Sequence, residues 1–149
     1  MLFRSRYRQV TAEIRDQQNK NTAQALNPGA AVLNMTSLNR LREMTAGSDP
    51  NFFSQVIKMF LDQGHEIIST MEEKCRRKEW QEMSSLAHKL KGSSLNLGAS
   101  LLAETCRQIE LSGKSENPSA CEKLTPVVRS HWDQTVQALE AVLKTEKNS

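Results

Sequence analysis

His88, Lys91 and Gly92 lie at the three- and four-residue steps that place side chains on one face of a helix. Ala87 and Leu90 belong instead to the apolar stripe of the same segment, so the imidazole of His88 is expected to point into solvent. A neutral imidazole, whose ordinary pKa is about 6.5, can attack phosphorus at pH 7 without a separate base. Glycine costs a helix interior roughly 0.5–1 kcal/mol relative to alanine, which favours a site where another molecule approaches the backbone closely. The three residues therefore indicate a docking site for a phosphoryl donor.

Several short motifs begin at His88 or follow it in the sequence. His88 begins the run His-x-Leu-Lys-Gly-Ser-Ser, which is followed by Leu-Gly-Ala and then by Cys-x-x-Ile-Glu and a glycine. With these motifs the chain resembles a histidine-containing phosphotransfer (HPt) domain, the module that carries phosphoryl groups in two-component phosphorelays. The resemblance extends from roughly Leu33 to Thr145 and is densest from Ala87 to Lys114. It implies an all-α, antiparallel four-helix bundle with His88 as the phosphoryl acceptor.

The resemblance also implies the partners and the source of the metal. An HPt domain exchanges phosphoryl groups with the aspartate of response-regulator receiver domains, and the receiver supplies the Mg²⁺ ion and most of the chemistry. An upstream hybrid histidine kinase is the implied origin of the phosphoryl group. The sequence contains no Gly-rich phosphate-binding loop and no kinase nucleotide signature. We therefore expect a phosphocarrier without kinase activity of its own, without an intrinsic cofactor and without a metal site.

Four long amphipathic segments with short connections predict a four-helix bundle from the residues alone. The predicted helices span about residues 50–77, 80–97, 99–112 and 118 onward. A shorter apolar pattern from about Val32 to Met44 predicts a helix that covers one end of the bundle and ends at Gly47 and Ser48. Strand patterns and internal repeats are absent from the sequence.

Proline and glycine positions predict where these helices begin and end. Asp49 is expected to cap a helix that has Pro50 at its first position. Gly98 is expected to end the helix that carries the histidine in a left-handed turn. Pro126 predicts either a kink in the last helix or a second helix start after Thr125.

In a helical hairpin whose turn lies at Gly98, residues at equal distances from the turn lie at the same height along the two helix axes. His88 lies ten residues before this glycine and Glu110 twelve residues after it, a mismatch of ~3 Å at about 1.5 Å per residue. We therefore expect Glu110 beside the imidazole and Lys114 one turn farther on. The family resemblance agrees, because Gln or Glu at the position of Glu110 commonly supports the active histidine there, and a basic residue at the position of Lys114 has precedent. Our hypothesis is that Nε2 of His88 is the nucleophile and that Glu110 accepts a hydrogen bond from Nδ1 through a weak or water-bridged contact. Lys91 is expected to be exposed and to stabilise the phosphoryl oxygens.

Four further residues complete the candidate site. Gly92 and Leu95 are expected to form the flat, partly apolar surface on which the partner protein docks. Lys89 would add long-range attraction. Ser93 would donate a hydrogen bond to a phosphoryl oxygen or to the partner, and a local bond to the helix backbone is an equal alternative.

Composition narrows the classes of function. A net charge of +3, from 20 basic and 17 acidic residues, is too small to indicate nucleic-acid binding. No apolar run approaches the ~20 residues of a membrane span. Cys75, Cys106 and Cys121 are far apart and fall in apolar helical patterns. We therefore expect reduced thiols in a cytoplasmic protein with a monomeric bundle.

Residues 1–30 are predicted to form an arm and linker outside the bundle domain of residues 31–149. Phe3, Tyr7, Val10 and Ile14 follow alternating four- and three-residue steps, typical of a short amphipathic helix, among several arginines. Docking against the bundle or pairing with a second copy is the favoured interpretation. A helix lying on a membrane surface is the alternative.

Three other functions are compatible with parts of the sequence. The first is a helical docking module that binds a receiver or another regulator without carrying phosphate, although the presence of His88 argues against it. The second is the histidine-bearing domain of a chemotaxis-type kinase, whose catalytic domain this sequence lacks. The third is a redox sensor, although nothing near the three cysteines suggests the thiolate of low pKa that it would need.

Overall fold

The computed structural model describes residues 31–47 and 49–147, and within them it contains five helices and no strand. The helices are α1 (Met35–Thr45), α2 (Phe52–Arg76), α3 (Trp80–Leu97), α4 (Ser100–Lys114) and α5 (Pro118–Lys147). The four long helices pack in a ring in the order α2, α3, α4, α5, with α5 returning to α2. The prediction of an all-α four-helix bundle is therefore confirmed. The predicted arm of residues 1–30 lies outside the described residues.

The start of α2 differs from the prediction. Pro50 was expected at the first helical position, but α2 begins two residues later, at Phe52, so this prediction is wrong. The carboxylate of Asp49 accepts a hydrogen bond from the backbone N–H of Asn51 at 2.8 Å. It thereby stabilises the turn that precedes the helix instead of capping the helix itself.

The last helix, α5, continues without a break through Pro126. Asn117 caps α5 as its side chain accepts a hydrogen bond from the N–H of Ala120 at 3.2 Å. The helix continues through Pro126 to Lys147, so the alternative of a second helix start is wrong. Beyond the proline, Val128 and Trp132 are buried in the core. Their packing favours a continuous helix over a break, because tertiary burial outweighs local propensity.

The core is aliphatic apart from a few aromatic rings. Trp132 on α5 packs against α2, where its ring centroid lies 5.6 Å from that of Phe60. A Cβ atom at Gly64 would lie 2.3 Å from the indole, so the glycine makes room for the tryptophan. His131 is half-buried, with Nδ1 2.6 Å from Oγ1 of Thr105 on α4. These contacts join α5 to both of its neighbours.

The turn between α3 and α4 fixes how the two helices pair. Gly98 follows α3 in the predicted left-handed conformation, with φ of +74°. Its carbonyl accepts a hydrogen bond from the N–H of Asn34 at 2.6 Å, so α1 covers this end of the bundle as predicted. A Cβ atom at Gly98 would lie 2.7 Å from the backbone oxygen of Asn34. The turn therefore requires glycine both for its backbone conformation and for its close neighbour.

Replacing Gly98 with alanine should destabilise the bundle. We expect Gly98→Ala to lower the free energy of unfolding by about 1–3 kcal/mol, because a side chain is strained at this φ and meets backbone. Gly47→Ala is the matched control, since its added Cβ would have no described atom within 4 Å. We expect that control to change stability by less than about 0.5 kcal/mol in urea denaturation. Equal effects of the two substitutions would contradict this account of the turn.

Candidate functional site

His88 lies near the middle of α3 with its side chain 67% exposed. Its neighbours Ala87 and Leu90 are fully buried in the core. The exposed position of the imidazole agrees with the face predicted from the sequence. The ring is therefore accessible to a second protein, while the helix that carries it is anchored from the opposite side.

Glu110 on α4 presents a buried carboxylate to this histidine. Only 7% of its side chain is exposed, and Oε1 lies 2.7 Å from Nδ1 of His88. Its other oxygen, Oε2, accepts a hydrogen bond from Nζ of Lys91 at 2.7 Å, and Lys114 donates to Oε1 at 3.2 Å. The height match inferred from the hairpin is confirmed. The expectation of a weak or water-bridged contact is wrong, because the carboxylate touches the imidazole directly.

Lys91 differs from its predicted state. Its side chain is 26% exposed and bound to Glu110, so the expectation of a freely exposed lysine is wrong. Lys91 lies three residues after His88, and both reach the same carboxylate from one face of α3. Lys114 is 64% exposed and approaches that carboxylate from α4 itself. The two ammonium groups and one carboxylate leave the cluster with one net positive charge when the imidazole is neutral.

The ionised form of Glu110 decides the tautomer of the histidine. Burial acts to raise the pKa of Glu110, but hydrogen bonds from Lys91, His88 and Lys114 outweigh it and lower that pKa from 4.5 to about 2. An ionised carboxylate is only an acceptor, so Nδ1 of His88 must donate the hydrogen in their contact. In the neutral ring, Nε2 then carries no hydrogen and its lone pair is free.

The remaining predicted residues lie on α3 around the histidine. Lys89 is exposed, and Gly92 and Leu95 are half-buried. The hydroxyl of Ser93 lies 3.3 Å from the carbonyl oxygen of Lys89, which is the local backbone bond weighed as its alternative. The structure therefore groups Glu110, Lys91 and Lys114 about the imidazole and leaves these four residues at the surface beside it.

Sequence reasoning missed Ser84. Its buried hydroxyl donates a hydrogen bond to the backbone carbonyl of Glu110 at 2.9 Å. The only signal in the sequence is its spacing, since it precedes His88 by four residues and shares that face of α3. Gly113 on α4 packs against the same serine.

Other candidate chemistry finds little support in the described part of the chain. Cys75, Cys106 and Cys121 are all free thiols, and burial raises the pKa of Cys106 to about 12. Such a thiol does not supply the thiolate that a redox sensor needs. Among the described residues, no group of three or more acidic, histidine or cysteine side chains is placed to hold a metal ion. None of the described helices combines the length and apolarity needed to cross a membrane.

Comparisons with known proteins agree with the helical fold. A family model described as the Hpt domain matches residues 55–142. Histidine-containing phosphotransfer protein 1 from Oryza sativa subsp. japonica is 29% identical over 112 residues, which cover 74% of each chain. The crystal structure of the maize histidine-containing phosphotransfer protein ZmHP2 is similar with a TM-score of 0.72 at 23% identity, over 91% of this chain and 98% of the maize chain. Saccharomyces cerevisiae Ypd1, crystallised with the receiver domain of its response regulator Ssk1, is similar with a TM-score of 0.63 at 20% identity, over 83% of this chain and 99% of that one.

The low pKa of Glu110 predicts how stability depends on pH. The pKa of this carboxyl falls from 4.5 in the unfolded chain to about 2 in the folded chain. At pH values above the unfolded pKa, the shift therefore contributes on the order of 3 kcal/mol to the free energy of unfolding. That contribution is lost as the pH falls from the unfolded value toward the folded one. We expect Glu110→Gln to remove this part of the acid dependence, measured by urea denaturation from neutral to acidic pH.

The exposed carboxyl of Glu140 on α5 offers a control for this measurement. Glu140→Gln should leave the acid dependence of the wild type nearly unchanged. Parallel stability curves for the wild type and Glu110→Gln would show that the buried carboxylate does not couple to folding in this way.

Proposed function

The chain belongs to the Hpt domain family, whose model matches residues 55–142, and on that basis we propose that it is a phosphorelay carrier. His88 accepts a phosphoryl group from the aspartyl phosphate of one receiver domain and passes it to the aspartate of another. The observation that carries the proposal is the 2.7 Å contact between Nδ1 of His88 and the buried carboxylate of Glu110. That contact leaves Nε2 as the accessible nucleophilic atom.

The transfer step needs no proton movement. The lone pair of Nε2 attacks phosphorus, the N–P bond forms, and the bond between phosphorus and the aspartyl oxygen breaks with its electron pair leaving on the aspartate. The imidazole keeps its hydrogen on Nδ1 throughout, and the ring becomes more positive as the new bond forms. Glu110 stabilises that developing charge through the hydrogen bond it already accepts. The reverse sequence returns the phosphoryl group to a receiver.

The lysines contribute positive charge near the phosphoryl oxygens. Lys91 is bound to Glu110, so it acts mainly through its field and by holding the carboxylate in place. Lys114 has the longer contact, at 3.2 Å, and the more exposed side chain, so it is the better placed of the two to reach a phosphoryl oxygen. Lys89 is exposed and adds attraction toward an acidic partner surface.

Receiver domains are the proposed partners, one of them belonging to an upstream hybrid histidine kinase. The yeast relative Ypd1 was crystallised with a receiver domain. The receiver supplies Mg²⁺ in this proposal, since both oxygens of Glu110 are already engaged by cationic or N–H donors. We further propose a cytoplasmic location, with which the three free cysteines agree. We also propose that the carrier is a monomeric bundle without kinase activity of its own.

Labelling by a phosphorylated receiver tests the function directly. Incubation with a receiver domain that carries aspartyl phosphate, in Mg²⁺, should give an acid-labile and base-stable label on the wild-type chain. His88→Gln should remove the label, because it removes the ring nitrogen that attacks phosphorus. His65→Gln is the matched control, since His65 is also exposed on a long helix, and it should be labelled like the wild type. Equal labelling of His88→Gln would place the chemistry elsewhere.

Gly92 tests the docking surface. It lies one helical turn after His88, and a side chain there would stand between α3 and a receiver. Gly92→Gln should weaken receiver binding by on the order of tenfold, or about 1.4 kcal/mol, in a calorimetric titration. Gly92→Ala adds little bulk and should bind nearly as the wild type does. Unchanged affinity of Gly92→Gln would contradict a close approach at this position.

A further inference from the structure

Glu110 is bound to α3 through both its side chain and its backbone. Its carboxylate contacts His88 and Lys91, and its backbone carbonyl accepts a hydrogen bond from the hydroxyl of Ser84. Ser84, His88 and Lys91 follow one another at steps of four and three residues, so they lie on one face of α3. One residue of α4 is therefore bound by three consecutive turns of its neighbour.

The antiparallel pairing of α3 and α4 explains why the carboxylate and the backbone carbonyl of Glu110 contact different residues of α3. Carbonyl groups of a helix point toward its C-terminus, whereas side chains tilt toward its N-terminus. Because α3 and α4 are joined by the turn at Gly98, the C-terminal direction of α4 leads toward Ser84. The N-terminal direction leads toward His88 and Lys91. A bond from Ser84 to the carbonyl of Glu110 thus sets the height from which the carboxylate reaches the imidazole.

A close approach of the two helices makes the bond possible. A Cβ atom at Gly113 would lie 2.8 Å from Cβ of Ser84 and 2.8 Å from the carbonyl oxygen of Trp80. Only glycine therefore allows α4 this near to α3 at the level of the serine. Ser84 is 3% exposed, so water does not compete for its hydroxyl.

Ser84 also departs from the usual behaviour of serine in this helix. Ser85 and Ser93 donate to the carbonyl four residues earlier in α3, which is the ordinary local bond. Ser84 instead donates across to α4, over a separation of 26 residues in the sequence. Its hydroxyl therefore joins the two helices of the site, whereas those of its neighbours serve only α3.

We propose that Ser84 is a positioning residue for phosphotransfer, whose bond to the carbonyl of Glu110 fixes the carboxylate against Nδ1 of His88 and keeps Nε2 free. The inference rests on the proposed function of His88. Ser84 touches neither the phosphoryl group nor the imidazole, and it acts only through Glu110.

The test compares Ser84→Ala with Ser94→Ala. Ser94 is a fully buried serine of α3 whose hydroxyl has no hydrogen-bond partner in the part of the chain that the structure describes. The ¹⁵N chemical shifts of the neutral imidazole report which ring nitrogen carries the hydrogen. Ser84→Ala should lower the fraction of His88 with hydrogen on Nδ1 and slow transfer from a phosphorylated receiver by about three- to tenfold. Ser94→Ala should change neither.

A double substitution separates positioning from general packing. In a Glu110→Ala background, Ser84→Ala should cause no further loss of transfer rate, because the group through which it acts is gone. An equal loss in both backgrounds, or a Ser84→Ala protein with the tautomer and rate of Ser94→Ala, would overturn the proposal. Failure of the carrier function itself would be recognised separately, since the wild-type chain would then take up no label at all.

Discussion

A buried carboxylate that stays ionised is the constraint on which this site depends. Removing a charge from water is costly unless hydrogen-bond donors replace the lost solvent, and Glu110 is almost completely buried. Three donors meet that requirement: Lys91 and His88 from α3 and Lys114 from α4. The close pairing of α3 and α4 is what brings them together. The pairing depends in turn on the left-handed turn at Gly98.

The same carboxylate explains the chemistry. Because it can only accept, it commits one imidazole nitrogen to the protein and leaves the other for phosphorus. The two lysines bind the same carboxylate and leave the cluster with a net positive charge when the imidazole is neutral. In the function that we propose, this positive charge attracts the anionic phosphoryl group. The partner receiver supplies the metal and the aspartate in that proposal, so the site itself needs little further chemistry.

Sequence patterns predicted the parts of this site that local rules determine. The bounds of α3 match the prediction, because the apolar stripe and the glycine at position 98 are both local signals. The height match between His88 and Glu110 followed from counting residues across a short turn. The start of α2 was wrong because Pro50 and Asn51 form a turn before the helix, which the bond from the N–H of Asn51 to the carboxylate of Asp49 stabilises. The direct contact to the imidazole, the bond from Lys91 to Glu110 and the bond from Ser84 depend on how closely two helices approach. That distance is set by Gly113 and the surrounding core, and no single segment encodes it.

The ring nitrogen that carries the phosphoryl group shows whether Glu110 directs the reaction. Correlated ¹⁵N and ³¹P spectra of the phosphorylated chain identify the ring nitrogen that is bonded to phosphorus. We expect phosphorus on Nε2 of His88, with the hydrogen of Nδ1 still bonded to Glu110. Phosphorus on Nδ1 would contradict this expectation, because the carboxylate could not then be what directs the reaction.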